Sequence, residues 1–193
     1  MVRAAAENAS SGKDMITLLL DRRGADATIT EEVVETIVRQ FDNNVMTLLL
    51  DWRGANVSIT EAVVRAAAAN RRSGKDVMTL LLDRRGADVT ITEAVVRAAA
   101  ANASSGKDVM TLLLDRREAD VTITEEVVKA AASNSCKEVM TVLLDQREEE
   151  VIKALVRVGA NDSRIEILRA RLFRVRSSNG WHYHRVRVDV LKS

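Results

Sequence analysis

The chain has 193 residues, 47% of them hydrophobic and 30% charged, and a formal net charge of +1. That is enough apolar material for a continuous core, with no overall charge to draw a polyanion. Aromatics contribute only 3% and proline is absent, so alanine, valine and leucine must do the packing, which suits closely stacked helices. A single cysteine, Cys136, excludes an internal disulfide, and no stretch approaches the roughly 18–20 apolar residues of a membrane span. With no signal-peptide pattern at its start, the chain reads as cytoplasmic.

The first residues, Val2-Arg3-Ala4-Ala5-Ala6-Glu7-Asn8, align with Val64-Arg65-Ala66-Ala67-Ala68-Ala69-Asn70. The chain therefore opens inside a helix whose cap is missing, as expected for a fragment of a longer array. Self-similarity continues from there. Thr-Leu-Leu-Leu-Asp recurs with its threonine at Thr17, Thr47, Thr79 and Thr111, and as Thr-Val-Leu-Leu-Asp at Thr141, an even spacing along the chain. Residues 74–102 and 106–134 agree at 25 of 29 positions, differing only at Gly86/Glu118, Ala94/Glu126, Arg97/Lys129 and Ala101/Ser133. About five copies, the first truncated, fill residues 1–147, and such periodicity predicts stacked supersecondary units.

Each unit predicts two helices. In the copy beginning at Gly74, Ser73 stands as N-cap with Asp76 three residues on. Val77, Met78, Leu80, Leu81 and Leu82 form a broad apolar face. Arg84 and Arg85 occupy the last turn, where the helix dipole favours cations, and Gly86 is expected as a left-handed stop. Ala87 to Ile91 is a connector too short for a strand. Thr92 is the next N-cap, with Glu93 in the first turn and Ile91 able to reach Val96 as a hydrophobic staple. Val95, Val96 and the alanines 98–100 continue that helix to a terminator at Asn102. Its small side chains allow close approach of neighbours. No single pair can hide its leucines, so the prediction is an all-α solenoid of antiparallel helix pairs stabilised by nearest-neighbour contacts.

Asp76-Val77-Met78-Thr79-Leu80-Leu81-Leu82-Asp83 followed by Gly86-Ala87-Asp88-Val89 resembles the second helix and glycine–aspartate turn of an ankyrin repeat. The likeness covers residues 1 to about 147, although the Thr-Pro-Leu-His start is missing and the connector leaves no room for the β-hairpin finger. The sequence is also similar to near-identical ankyrin-like repeats in large fungal proteins with NACHT-type domains that resemble NOD-like receptors. What this resemblance implies is a ligand-sensing or scaffolding array with a protein partner.

After Asp145 the pattern changes. Glu148-Glu149-Glu150 replaces the glycine turn, and Val151, Ile152, Leu155, Val156 and Val158 predict a closing helix within residues 148–160. Residues 161–193 form a basic tail. From Arg157 onward there are nine Lys/Arg against three Asp/Glu, a net of +6 that leaves the body at −5. A helix is predicted over 164–174, a turn at Asn179-Gly180, and a strand-like alternation over 181–190 that could pair back as a β-hairpin.

Gly74-Lys75 and Gly106-Lys107 superficially suggest a phosphate loop, but Asp76 and Asp108 follow where Ser or Thr is needed, so both read as helix starts. His182 and His184 are two ligands at most, short of a zinc site. No cofactor, metal or small-molecule ligand is expected. The recurring Asp21, Asp51, Asp83, Asp115 and Asp145 read as structural, pairing with a basic residue of a neighbouring unit, and no Ser-His-Asp set can be assembled. Two positions vary from copy to copy and are the expected partner-binding residues: Arg22, Trp52, Arg84, Arg116 and Gln146 in one row, and Glu35, Arg65, Arg97 and Lys129 in the other. Trp52 is the favoured anchor, as tryptophan is at interfaces. The alternative is nucleic-acid binding by the tail arginines Arg169, Arg171, Arg174, Arg176, Arg185 and Arg187.

Overall fold

The computed structural model describes Asp14, Thr17, Leu18 and residues 30–53, 57–133 and 137–157. Among these, eight helices follow in order: α1 (Glu31–Gln40), α2 (Asn43–Arg53), α3 (Glu61–Ala69), α4 (Gly74–Arg85), α5 (Glu93–Ala101), α6 (Gly106–Arg117), α7 (Glu125–Ser133) and α8 (Lys137–Arg157). One 3₁₀ turn, Glu118–Asp120, separates α6 from the connector to α7. The fold is all-α, as predicted. The predicted tail helix and hairpin over 161–193 lie outside the described residues.

Helices alternate between two layers. α1 and the alanine-rich α3, α5 and α7 stack in sequence as one layer (the alanine layer below), and so do the leucine-rich α2, α4, α6 and α8. Within the alanine layer the helices approach more closely than within the leucine layer, as the side-chain sizes require.

The core lies between the layers and repeats with the sequence. Val63, Val64 and Ala67 of α3 are fully buried, as are Val95, Val96 and Ala99 of α5, against Met78 and Leu81 of α4 and Met110 and Leu113 of α6. Each buried leucine or methionine contributes about 1.5–3 kcal/mol relative to exposure. The connectors add Val57, Ile59, Val89, Ile91, Val121 and Ile123, all buried in extended segments. The motif threonine is local: the hydroxyls of Thr47 and Thr111 donate to carbonyls four residues back, at 2.8 and 2.9 Å.

Two helix boundaries differ from expectation. Gly86 is not a left-handed stop; its φ of −55° and ψ of −33° are right-handed, and Glu118 occupies the same place with similar angles. The helical path breaks one residue earlier, at Arg117 (φ −137°, ψ 37°), and again at Arg147 (φ −135°, ψ 42°), which bends α8. At each break the arginine folds onto an acid three residues ahead. Arg117 donates to Asp120 at 2.6 Å and Arg147 to Glu150 at 2.7 Å, and Arg85 makes the same contact with Asp88. Arg117 also reaches the Gly86 and Val89 carbonyls of the preceding unit, and Arg147 the Glu118 carbonyl. A glycine is unnecessary because the arginine supplies the stop.

The second difference is at the start of the leucine helices. Ser73 and Ser105 stand at the N-cap but make no side-chain cap bond. An asparagine side chain holds the turn before each of these helices instead. The Asn70 carbonyl oxygen accepts from the Arg72 and Ser73 amides at 2.9 Å, and that of Asn102 from Ser104 and Ser105 at 3.1 Å. In the shorter turn of the preceding copy, Asp42 accepts from the Asn44 amide at 3.2 Å.

Successive units are joined by bonds between equivalent residues. The amide nitrogen of Asn102 donates to the carbonyls of Ala68 and Asn70, both at 3.0 Å, and Asn70 donates likewise to Val38 and Phe41. Both asparagines are buried. The hydroxyls of Thr60, Thr92 and Thr124 donate to Glu31, Glu61 and Glu93, the first-turn acids of the unit before. On the leucine layer Arg84 pairs with Asp51 at 2.6 Å, and Arg116 with Asp83, as the recurring aspartates predict. These pairs are half exposed, so a double-mutant cycle on Asp83→Asn and Arg116→Gln is expected to give a coupling of at most about 1 kcal/mol by urea unfolding.

Candidate binding surface

The two variable rows fall on different layers. Of the first row, Arg22 lies outside the described residues. Trp52 lies in α2, with its side chain outside the described residues. Arg84 and Arg116 are exposed but already engaged by the aspartates of the unit before. Gln146 is exposed just before the break at Arg147 and stands where the arginine partner of Asp115 would be. This row is a seam between units.

The second row lines the alanine layer. Arg65 and Arg97 are exposed, Glu35 and Lys129 partly so. Position follows from the helix repeat: each stands four residues after a first-turn glutamate, which for Glu35, Arg65 and Arg97 is the one bound by the next unit's threonine, one turn along the same face. The ends of the row are neutralised, Glu35 by Arg39 and Lys129 by Glu126 at 2.8 Å. Arg65 and Arg97 have no ion pair among the described residues.

Lys129 holds the carboxyl of Glu126 below its ordinary range, chiefly by hydrogen bonding and by its charge, with Arg97 adding to the effect. A depressed carboxyl pKa gives a contribution present above the unfolded-state value and lost as pH falls through the folded one. Glu126 is exposed, so the expected result is spectroscopic. In a carboxyl-detected NMR titration Glu126 ionises at lower pH than a free glutamate, and Lys129→Ala moves its midpoint upward.

Beside this row, between the C-terminal ends of α3 and α5, is a shallow recess of about 360 Å³ lined by Ala69, Ala98, Ala101, Ala103, Asn102 and Arg71. Arg71 and Arg72 are exposed on the adjoining turn. A second recess of about 420 Å³ lies between the N-terminus of α7 and the far half of α8, where Thr124, Glu126, Lys153 and Arg157 meet. Among the described residues no group of three or more His, Cys, Asp or Glu side chains is arranged to hold a metal ion, and no helix is long and apolar enough to cross a membrane. His182, His184 and the tail arginines Arg169, Arg171, Arg174, Arg176, Arg185 and Arg187 lie outside the described residues.

Gly74 and Gly106, the residues that suggest a phosphate loop, are buried contacts. A Cβ on Gly106 would sit 2.5 Å from the Ala99 carbonyl oxygen and 3.2 Å from Val139, and one on Gly74 would sit 2.7 Å from the Ser105 hydroxyl. They are glycine because the adjacent turn and the next unit leave no room. The sequence held one signal for this, the recurrence of glycine at a helix start, and a matching signal for the ladder in the recurrence of Asn70 and Asn102.

Stacked helix pairs joined rung by rung through equivalent residues define an α-helical repeat array. The chain belongs to the family described as a domain of unknown function, DUF7104, whose model matches residues 1–15, 18–36, 48–78, 80–110 and 112–140. The last three matches each begin at the position that follows Thr47, Thr79 and Thr111, so the family unit and the structural unit have one period. No curated protein and no solved structure matches the chain.

Proposed function

We propose that this array is a non-catalytic protein-binding module, the repeat part of a larger cytoplasmic receptor or scaffold, with the alanine layer as its contact face. The observation that carries this reading is the contrast between the layers. Arginines of the leucine layer are used in joining units, whereas Arg65 and Arg97 project from the alanine layer at a position that changes between copies and have no ion pair among the described residues. The likeness of residues 76–89 to ankyrin repeats supports the receptor assignment, and a lone cysteine fits a reducing compartment. Faces built from stacked repeats are suited to extended contacts.

The test is photo-crosslinking in cells from an unnatural amino acid at Ala101 on the alanine layer, compared with Lys107 on the leucine layer. Protein adducts are expected from position 101 and not from 107. Adducts from 107 alone, or equally from both, would refute the assignment of the face.

A further inference from the structure

Resting on the reading of the alanine layer as the contact face, we infer that its partner is an acidic polypeptide segment that lies across the repeats, its carboxylates set against Arg65 and Arg97 and a small apolar side chain in the recess beside them. Three observations converge on that chemistry. Arg65 and Arg97 are exposed guanidinium groups in one register with no ion pair among the described residues, and Arg71 stands at the rim of the same recess. A carboxylate takes a guanidinium in a two-point, charge-assisted contact. Four of the six residues lining the recess are alanine and it is shallow, which suits a small apolar side chain.

The surroundings favour polypeptide over nucleic acid. One helical turn from the arginines runs the parallel row of Glu61 and Glu93, each fixed by a threonine hydroxyl of the next unit. A phosphate backbone, charged at every step, would meet those carboxylates. A peptide can place acids over the arginines and neutral residues over the glutamates. Spacing narrows the pattern. Helices packed through alanine stand roughly 8–10 Å apart, and three residues of a polyproline II chain rise about 9 Å and bring the side chain back to the same face. An acid at every third position therefore meets successive arginines.

The probe is a fluorescein-labelled peptide, (Ala-Ser-Glu)₇, with (Ala-Ser-Gln)₇ as control, titrated with the full chain and followed by anisotropy. The expected result is saturable, salt-sensitive binding of the glutamate peptide, at least tenfold weaker for the control and for R65Q/R97Q, and unchanged for K75Q/K107Q. Circular dichroism of R65Q/R97Q keeps a folding defect from imitating the loss. Equal binding of both peptides, no loss in R65Q/R97Q, or stronger binding of single-stranded RNA to the same face overturns the inference. Crosslinks from Ala101 that persist in R65Q/R97Q would overturn the acidic partner and leave the contact face standing, whereas loss of crosslinks in the parent chain would end both.

Discussion

Asn102→Ala is expected to destabilise the fold by about 3–4 kcal/mol, measured by urea unfolding. The side chain makes five hydrogen bonds: it donates to the Ala68 and Asn70 carbonyls and to the Ser105 hydroxyl, and it accepts from the Ser104 and Ser105 amides. At 4% exposure water cannot replace it. Each buried group left unpaired costs about 1–3 kcal/mol. Ser105 still donates to the Asn70 carbonyl at 2.6 Å, which keeps the total near the lower end. Asn102→Asp is the sharper variant. It keeps the acceptor for the two amides, but turns the donor toward two carbonyls into a second acceptor carrying charge. It should be at least as damaging although nearly the same size. A loss below about 1 kcal/mol for both would mean that the amide does not couple the units.

Gly106→Ala tests a competition between two opposed effects. Helix propensity alone predicts a gain of about 1 kcal/mol from replacing glycine by alanine. The new Cβ would lie 2.5 Å from the Ala99 carbonyl oxygen, a backbone atom that cannot swing aside, and 3.2 Å from Val139 of the next unit. Overpacking of this kind costs about 1–3 kcal/mol, so a net loss of about 1 kcal/mol is expected in thermal or urea unfolding. Gly86→Glu is the comparison: its Cβ would lie 2.6 Å from the Leu82 carbonyl oxygen, yet Glu118 occupies the equivalent site with similar backbone angles, so that turn adjusts to admit a side chain. Its change should stay within about 0.5 kcal/mol. If Gly106→Ala stabilises the protein, the tight turn-to-unit contact is wrong.

Much of this architecture was legible in the sequence because the signals are local or periodic. Leucines at helical spacing, threonine before glutamate, and arginines in the last turn each act within one helix, and the regular return of the same block dictates stacking. The Asp51–Arg84 and Asp83–Arg116 pairs follow from an aspartate that recurs at every unit. Gly86 misled because helix-then-glycine is the usual mark of a left-handed stop. Here Arg85 and its counterparts fold onto an acid three residues ahead where the helix ends or, at Arg147, bends, a contact that no propensity reports. Asn102 reads as a terminator, and it is one. Its larger role needs carbonyls from the preceding unit, which come within reach only once the stack has formed. The variable positions were legible as a set but not as two sets. Only packing separates Arg84 and Arg116, spent on joining neighbours, from Arg65 and Arg97, which face outward.

Because each rung links like to like, any copy can follow any other. Excision of residues 74–105, one period, would join Ser73 to Gly106. Arg116 would then meet Asp51 in place of Arg84, and Thr124 would meet Glu61 in place of Thr92. The shortened chain is expected to fold cooperatively, with the helical signal of the parent reduced by one unit and a lower midpoint. Unequal exchange between near-identical stretches of the gene would therefore yield foldable products, and arrays of differing length are a direct consequence of the bonding pattern.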